Sequence, residues 1–412
     1  MLYLGIDVGK RAHEAALLDD AGATVWRHRI AASRAGFAAF EQHLAGVDLA
    51  TLTVALEATG VYWLALHAWL TERGVARVVV LNPLQTRAFR NANLRGSKTD
   101  RIDAVALATL VRWMGATLSD HVRPDDRQMA ARDVGRLRTE MIELRARQLV
   151  KLGGVLDRLF PEFRAAFGKL GSASALAVLA RWASPVTLGA ADAAELTAVL
   201  ARASRGSLGA AKAAELQALA ATSAGLPDPL DAVGVAVRTL VGHVEHLDGQ
   251  IAALGARLGE LLAPDAASEA LLRSCPGVGV DTARTWLAEA PPVARVRGKD
   301  GADKLVALAG LDAQLKQSGA SAGRVRMSKR GNRYLRRSLM LAAEGAARTD
   351  PQCRAILQKQ RAKGKHYRVA VSHVARKLVH ILYAVLTHER PYTVPAAYAA
   401  VAAASPEVLV EA

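Results

Sequence analysis

Leu2-Tyr3-Leu4-Gly5-Ile6-Asp7-Val8-Gly9 is a short apolar run of strand formers with an aspartate near its end and a glycine two residues to either side of that aspartate. Working outward, Ala15–Leu18, then Asp19-Asp20-Ala21-Gly22, then Thr24–Ile30 predict strand, turn, strand. Ser33 is placed to cap a helix running to about Ala45. Thr51-Leu52-Thr53-Val54-Ala55-Leu56-Glu57 predicts a fourth strand that also closes on a carboxylate, with Ala58-Thr59-Gly60 after it. A helix follows through Arg73 and stops at Gly74, and Val75–Leu81 predicts a fifth strand ended by Asn82-Pro83. Three antiparallel strands followed by strands alternating with helices describe a mixed α/β sheet of ribonuclease-H type.

That topology gives the acids a common address. In such a sheet the first and fourth strands are adjacent and parallel, so Asp7 and Glu57 end on the same side. Lys98-Thr99-Asp100-Arg101-Ile102-Asp103 opens a further helix, with Thr99 as N-cap. Its two aspartates are three apart and share a face. Alone, they read as an acidic helix start that suits the helix dipole. With Asp7 and Glu57 they make four carboxylates around one cleft, a donor set for two Mg²⁺ or Mn²⁺ ions in phosphoryl transfer. Without a cation, mutual repulsion would raise their pKa values. Gly5-Ile6-Asp7-Val8-Gly9 also resembles the first phosphate motif of actin-like sugar kinases, but the second glycine-rich phosphate loop of that class is missing downstream.

The chain has 412 residues, room for two or three domains, and 51% of them are hydrophobic. Ala and Leu dominate, which favours helices. Cys275 and Cys353 are far apart and form no ligand pattern, which predicts a reducing compartment without disulfides or zinc fingers. Charged residues interrupt every apolar run before the ~18 residues of a membrane span, and no signal peptide is visible. These features predict a soluble, cytoplasmic protein with no membrane partner. The net charge of +16 is concentrated. Lys316–Arg337 holds eight Lys/Arg and no acid, and so does Arg354–Lys377. Outside those two stretches 38 basic residues face 38 acidic ones. A confined basic footprint on a neutral body predicts a polyanion partner.

From about Pro124 the pattern becomes helical. Val134, Leu137, Met141, Leu144, Leu149, Leu152, Leu156 and Leu159 trace one stripe, and Val237, Leu240, Val244, Leu247, Ile251, Leu254, Leu258 and Leu261 alternate spacings of three and four. This is a coiled-coil pattern, whose two arms can pair antiparallel or whose second arm can pair with another chain. The Ala-rich stretch between the arms, about residues 165–225, carries no chemistry that can be read. His243 and His246 share a helix face and read as solvated. Cys275-Pro276-Gly277-Val278-Gly279-Val280 joins two helices and resembles a helix-hairpin-helix, in which Gly277 and Gly279 let backbone N–H groups approach a DNA phosphate. Ser318 precedes Gly319 in a basic loop, and Ser321 lies three residues on. By itself Ser318 is a turn serine, although cations around it would suit a nucleophile at phosphorus. Arg333–Arg348 and His366–Leu386 predict helices with basic faces that could clamp phosphates. The residues proposed to contact nucleic acid are Gly277, Gly279, Lys316, Arg324, Arg326, Lys329, Arg330, Arg333, Arg336, Arg337, Lys363, Lys365 and Arg368. From Glu389 on, the tail is expected to be loose.

Gly5-Ile6-Asp7-Val8, Leu56-Glu57-Ala58-Thr59-Gly60, Lys98-Thr99-Asp100-Arg101-Ile102-Asp103-Ala104, Pro276-Gly277-Val278-Gly279, Gln317-Ser318-Gly319 and Ser328-Lys329-Arg330-Gly331-Asn332 together carry a family likeness. The chain resembles the DEDD-type transposases of insertion sequences whose recombination is guided by a structured bridge RNA. The resemblance implies a Holliday-junction-resolvase-like domain over 1–123, a coiled-coil and Ala-rich region over 124–264, a C-terminal transposase domain over 265–390 and a flexible tail over 391–412. It implies that Asp7, Glu57, Asp100 and Asp103 bind Mg²⁺ or Mn²⁺ and that Ser318 attacks DNA to form a phosphoserine link. It also implies double-stranded donor and target DNA, a bridge RNA, and a homo-oligomer (dimer or tetramer) in which acids of one subunit face the serine of another. The alternatives are a structure-specific nuclease that uses water, and a non-enzymatic scaffold built on the coiled coil.

Overall fold

The computed structural model describes residues 1–58, 60–83, 86–87, 89, 100–118, 125–318 and 321–398, with backbone alone at 100, 101, 116, 315–318 and 321–325. The chain forms two compact units, Met1–Arg123 and Pro124–Ala412.

The N-terminal unit is built on a five-stranded sheet of order β3-β2-β1-β4-β5. Its strands are β1 (Tyr3–Val8), β2 (Ala12–Leu18), β3 (Thr24–Ala31), β4 (Thr53–Glu57) and β5 (Arg77–Leu81). β1 pairs antiparallel with β2 and parallel with β4, the arrangement expected from the sequence. Alternation along β1 assigns its two faces. Leu4, Ile6 and Val8 enter a core with Val54, Leu56, Leu66 and Leu70, the last two from α2 (Trp63–Glu72). α1 (Arg34–His43) adds Phe40 to that core, and Ser33 caps it by accepting from the Gly36 amide. The opposite face carries Gly5 and Ala55 and is covered by α3 (Asp100–Met114), through Leu107, Leu110 and Val111.

The C-terminal unit is mainly helical. Two long helices, α4 (Asp126–Leu159) and α10 (Ala232–Leu261), pack antiparallel. Arg145 Nε meets Asp248 Oδ1 at 2.5 Å, while Gly135 lies beside Leu258 and Gly255 beside Arg138. These two helices of the chain lie against one another along their length. Of the expected stripe Val237, Val244 and Leu258 are buried and the other five are half-buried, whereas His243 and His246 are exposed. The Ala-rich stretch folds into α5 (Phe163–Ala166), α6 (Ala173–Arg181), α7 (Pro185–Gly189), α8 (Ala193–Ala203) and α9 (Ala210–Ala221). It shares a core with the arms, through residues such as Leu156, Phe163, Leu179, Leu200, Leu216 and Val241.

A second core joins α11 (Ala266–Arg273), α12 (Val280–Glu289), α13 (Gly301–Leu308), α14 (Arg333–Thr349), α15 (Pro351–Ala362) and α16 (Tyr367–His388). By length and composition α16 could cross a membrane, but Val371, Val374, Leu378 and Leu382 are fully buried in this core. Strands β6 (Ala313–Ser318) and β7 (Ser321–Met327) form a separate two-stranded sheet between α13 and α14. The expected loop around Ser318 is therefore a β-hairpin. The tail also departs from expectation. Tyr392 donates its amide to Ser274 Oγ and its hydroxyl to Asp350 Oδ2, at 2.9 Å each, which ties the chain down past Glu389. The remainder of the expected loose tail, 399–412, lies outside the described residues.

Candidate active site

Asp7 and Glu57 are brought side by side by strand register. β1 and β4 pair Gly5 with Ala55 and Ile6 with Leu56. One residue further along that register sets Asp7 next to Glu57, on the face that also carries Gly5. α3 crosses this face closely because Gly5 has no side chain. A Cβ there would stand 2.1 Å from the Ala104 carbonyl oxygen and 2.4 Å from the Ala108 nitrogen. Asp103 immediately precedes Ala104, so the same contact carries Asp103 to the acid-bearing face. Asp103 is 5% exposed and Glu57 8%. Burial at this level is rare for carboxylates that have no partner.

Glu57 Oε2 accepts a 2.7 Å hydrogen bond from the Thr86 hydroxyl, which itself is buried. Thr86 was not singled out by sequence, because a threonine after Asn82-Pro83 carries no chemical pattern. Glu14 was also missed. It lies directly opposite Asp7 in the β1–β2 register and pairs with Arg29 Nε at 3.6 Å. Only the exact turn register reveals that this acid adjoins the site. His13, opposite Val8, is buried, and its Nδ1 makes no hydrogen bond to a described group. Burial lowers its pKa.

Carboxylate oxygens are hard donors that suit a divalent metal ion. Among the described residues no three acid, histidine or cysteine side chains form a ready-made cage. Asp100 opens α3 one turn before Asp103, and its side chain lies outside those described. Lys98 and Thr99, the rest of the motif start, also lie outside the described residues.

In the C-terminal unit Ser318 ends β6 and pairs in register with Ser321, the first residue of β7. The two serines of the sequence motif thus oppose one another where the described strands end. Lys316 pairs with Arg324, and Gln314 with Arg326, so the basic residues of the motif line up across this ribbon. Its root is fixed by backbone contacts. The Ser328 amide donates to the Asp312 carbonyl at 2.9 Å, Lys329 to Gly310 at 3.1 Å and Asn332 to Leu308 at 2.6 Å. The Ser328 hydroxyl also donates to Asp312 Oδ1. Gly310 has φ +65°, and Gly331 passes so close that a Cβ on it would meet the Leu308 oxygen at 2.1 Å.

The basic residues divide into two groups. Lys329, Arg330, Arg326, Lys363 and Arg368 are exposed. Arg333 and Arg337 are exposed too, but each meets an acid of α4 at the surface, Glu140 at 3.5 Å and Glu143 at 3.6 Å. Arg336, also expected at phosphate, is half-buried. It turns inward and donates to the Ala309 and Gly331 carbonyls at 3.0 and 3.4 Å, and burial lowers its pKa. Gly277 is likewise used internally. With φ +72° it lies on α14, where a Cβ would come within 2.2 Å of the Ala342 oxygen and 2.4 Å of the Ala346 nitrogen. Its missing side chain admits a helix backbone. Gly279, the N-cap of α12, has open space at its Cα.

Two family models match the chain. One, described as a transposase of the DEDD IS110 type, covers residues 4–161, which includes every acid of the cluster. The other, described as "Transposase IS116/IS110/IS902 family", covers residues 269–358, which includes the hairpin and its flanking helices. The chain is a transposase of the IS116/IS110/IS902 family. Curated relatives agree over nearly the whole length. The "Insertion element IS110 uncharacterized 43.6 kDa protein" of Streptomyces coelicolor is 26% identical over 93% of this chain and 94% of its own. The "Insertion element IS900 uncharacterized 42 kDa protein" of Mycobacterium paratuberculosis is 27% identical over 95% and 97%. The transposase is therefore a DNA transposase or recombinase of an insertion element. Its N-terminal match runs on past the sheet to the end of α4, and residues 162–268 lie between the two matches.

Proposed function

We propose that this transposase cuts and rejoins DNA through a covalent phosphoserine intermediate, with Ser318 as nucleophile and Asp7, Glu57, Asp100 and Asp103 as ligands of Mg²⁺ or Mn²⁺. The observation that carries this reading is the register of Asp7 beside Glu57, under the helix that bears Asp103. Bound there, a divalent ion would supply charge stabilisation at a scissile phosphate. The protein's own part is to hold the acids in one place and to bring the serine to phosphorus. Ser318 Oγ forms a bond to phosphorus as a phosphorus–sugar oxygen bond breaks, and the hydroxyl proton leaves to solvent or the departing oxygen. A DNA hydroxyl then attacks the phosphoserine, releases the serine and joins donor to target. The acids of one subunit meet the serine of another, so the working form is a dimer or tetramer.

The regions are the resolvase-like catalytic domain (1–123), the coiled-coil region (124–264), the transposase domain with its helix-hairpin-helix (265–390) and the tail (391–412). Target and donor are chosen by a bridge RNA in the cytoplasm. Lys316, Arg324, Arg326, Lys329 and Arg330 line the nucleophile's DNA, while Lys363, Lys365 and Arg368 form a second patch where α15 turns into α16. No acid occurs between Pro351 and His388, which leaves this patch uniformly positive.

Ser318→Ala and Ser321→Ala, assayed on DNA carrying an element junction together with the flanking non-coding RNA, test the reading. Loss of strand exchange and of protein–DNA adducts in Ser318→Ala alone is expected. Cleavage without adducts in both the wild type and Ser318→Ala would establish instead a nuclease that uses water.

A further inference from the structure

Glu289, the last residue of α12, is a buried carboxylate that the proposed reaction does not use. Its side chain is 3% exposed. Arg136 of α4 grips it with two parallel bonds, Nε to Oε1 at 2.7 Å and Nη2 to Oε2 at 2.8 Å. Arg132, one turn earlier, stands 3.4 Å from Oε2. The fourth contact is a 2.6 Å bond from Asn332 Nδ2 to Oε2. Asn332 is itself committed on every side. Its Oδ1 accepts from the Tyr334 and Leu335 amides as the N-cap of α14, and its own amide donates to the Leu308 carbonyl. Arg136 also lies over the Tyr334 ring, 5.1 Å from the centroid, and the Tyr334 hydroxyl donates to Glu140 at 2.8 Å.

This cluster meets the serine hairpin at its root. Asn332 follows Gly331, which closes on Gly310, and the paired strands β6 and β7 extend from there. The hairpin is a two-stranded sheet of its own, so its direction is set where it is anchored. Ser318 lies five residues beyond Ala313, about 17 Å at a strand rise of ~3.3 Å per residue. A tilt of roughly 5° at the root then moves the tip by about 1.5 Å. Misplacement of about 1 Å can slow a reaction by ~10²-fold.

We propose that Glu289 is a positioning residue: by clamping Asn332 to Arg136 it fixes the angle at which the hairpin presents Ser318. The proposal rests on Ser318 being the nucleophile. It assigns the paired ions a geometric role. Ion pairs buried this deeply contribute little net stability compared with apolar packing, but they hold one arrangement among several.

The test uses the full-length chain. Asn332→Ser keeps a capping hydroxyl for α14 and removes only the donor to Glu289. Glu289→Gln keeps the shape and removes the charge. Three quantities are measured on the same junction DNA: melting temperature, DNA affinity and the single-turnover rate of adduct formation. Asn332→Ser is expected to melt within a few degrees of wild type and to bind DNA within about threefold, while its adduct rate falls at least tenfold. Glu289→Gln is expected to show the same split or a larger one. An adduct rate at the wild-type level in Asn332→Ser, with Ser318→Ala inactive, overturns the positioning role and leaves the nucleophile in place. A rate loss that merely tracks lost folding or lost DNA binding in both variants also overturns it. Adducts that persist in Ser318→Ala overturn the nucleophile assignment, and the positioning role with it.

Discussion

Gly5 and Ala104 are in backbone contact: any side chain on Gly5 would lie within 2.1 Å of the Ala104 carbonyl oxygen. This one contact sets how closely α3, and with it Asp103, approaches the strand that carries Asp7. Gly5→Ala is therefore expected to push the helix off the sheet. Overpacking of this kind costs roughly 1–3 kcal/mol, so thermal unfolding should show a destabilised N-terminal unit. Cleavage should fall further than the loss of folded protein explains.

Asp103→Asn tests the acid cluster without changing its shape. The variant is expected to keep the wild-type circular dichroism spectrum and DNA affinity, and to lose cleavage by at least 10²-fold. Asp7→Asn and Glu57→Gln should behave alike. Titration with Mn²⁺, followed by calorimetry, should show weaker binding in each. Full activity in all three would show that these acids do not carry the reaction.

Gly277→Ala separates packing from phosphate contact. The residue needs φ +72° and has a helix backbone at 2.2 Å. Strain and overpacking together are expected to cost about 2–4 kcal/mol, visible as a lower melting temperature in the absence of DNA. Gly279→Ala, where the Cα faces open space, should leave melting nearly unchanged. If it contacts phosphate, its effect appears only in DNA affinity.

The arginines and lysines should sort the same way. Arg336→Ala leaves the Ala309 and Gly331 carbonyls short of a donor, and is expected to lower stability by about 1–3 kcal/mol. Lys363→Ala and Arg368→Ala should leave stability within about 0.5 kcal/mol. Each should weaken nucleic-acid binding and reduce the slope of log K against log salt by about 1.

His13 gives a pH dependence of known sign. Burial holds its pKa below the usual value of 6.5, so the unfolded chain takes up the proton first. Its stabilising contribution is fully present above pH 6.5 and is lost as pH falls through the lower folded pKa. The melting temperature is expected to drop on acidification below about pH 6.5, and His13→Phe should flatten that part of the curve. An unchanged slope in the variant would assign the acid sensitivity to other groups. The two cysteines provide a simpler check. Burial pushes Cys275 up to about 11 and Cys353 up to about 12, so neither thiol of the native protein should react with iodoacetamide at pH 8.

The sequence alone determined the features that depend on local periodicity. Alternating apolar residues gave β1 and β4, and the carboxylates at their ends followed from simple counting. The apolar spacing of α10 marked the side that packs on α4, and the uneven spread of charge is legible in the sequence itself. These signals are legible because a strand repeats every two residues and a helix every 3.6, whatever else the chain does. The tertiary structure decided what depends on distance along the chain. It placed Glu14 opposite Asp7 and Thr86 on Glu57, and it turned the Ser318 loop into a hairpin. It also gave Arg336 a carbonyl partner in Ala309 and set Gly277 against α14. Glu289 shows the reason most plainly. In the sequence it is one acid in an ordinary helix end, more than forty residues from Asn332 and more than a hundred and fifty from Arg136. Its meaning comes only from partners that folding brings into a dry interior, where a charge must be matched on every side.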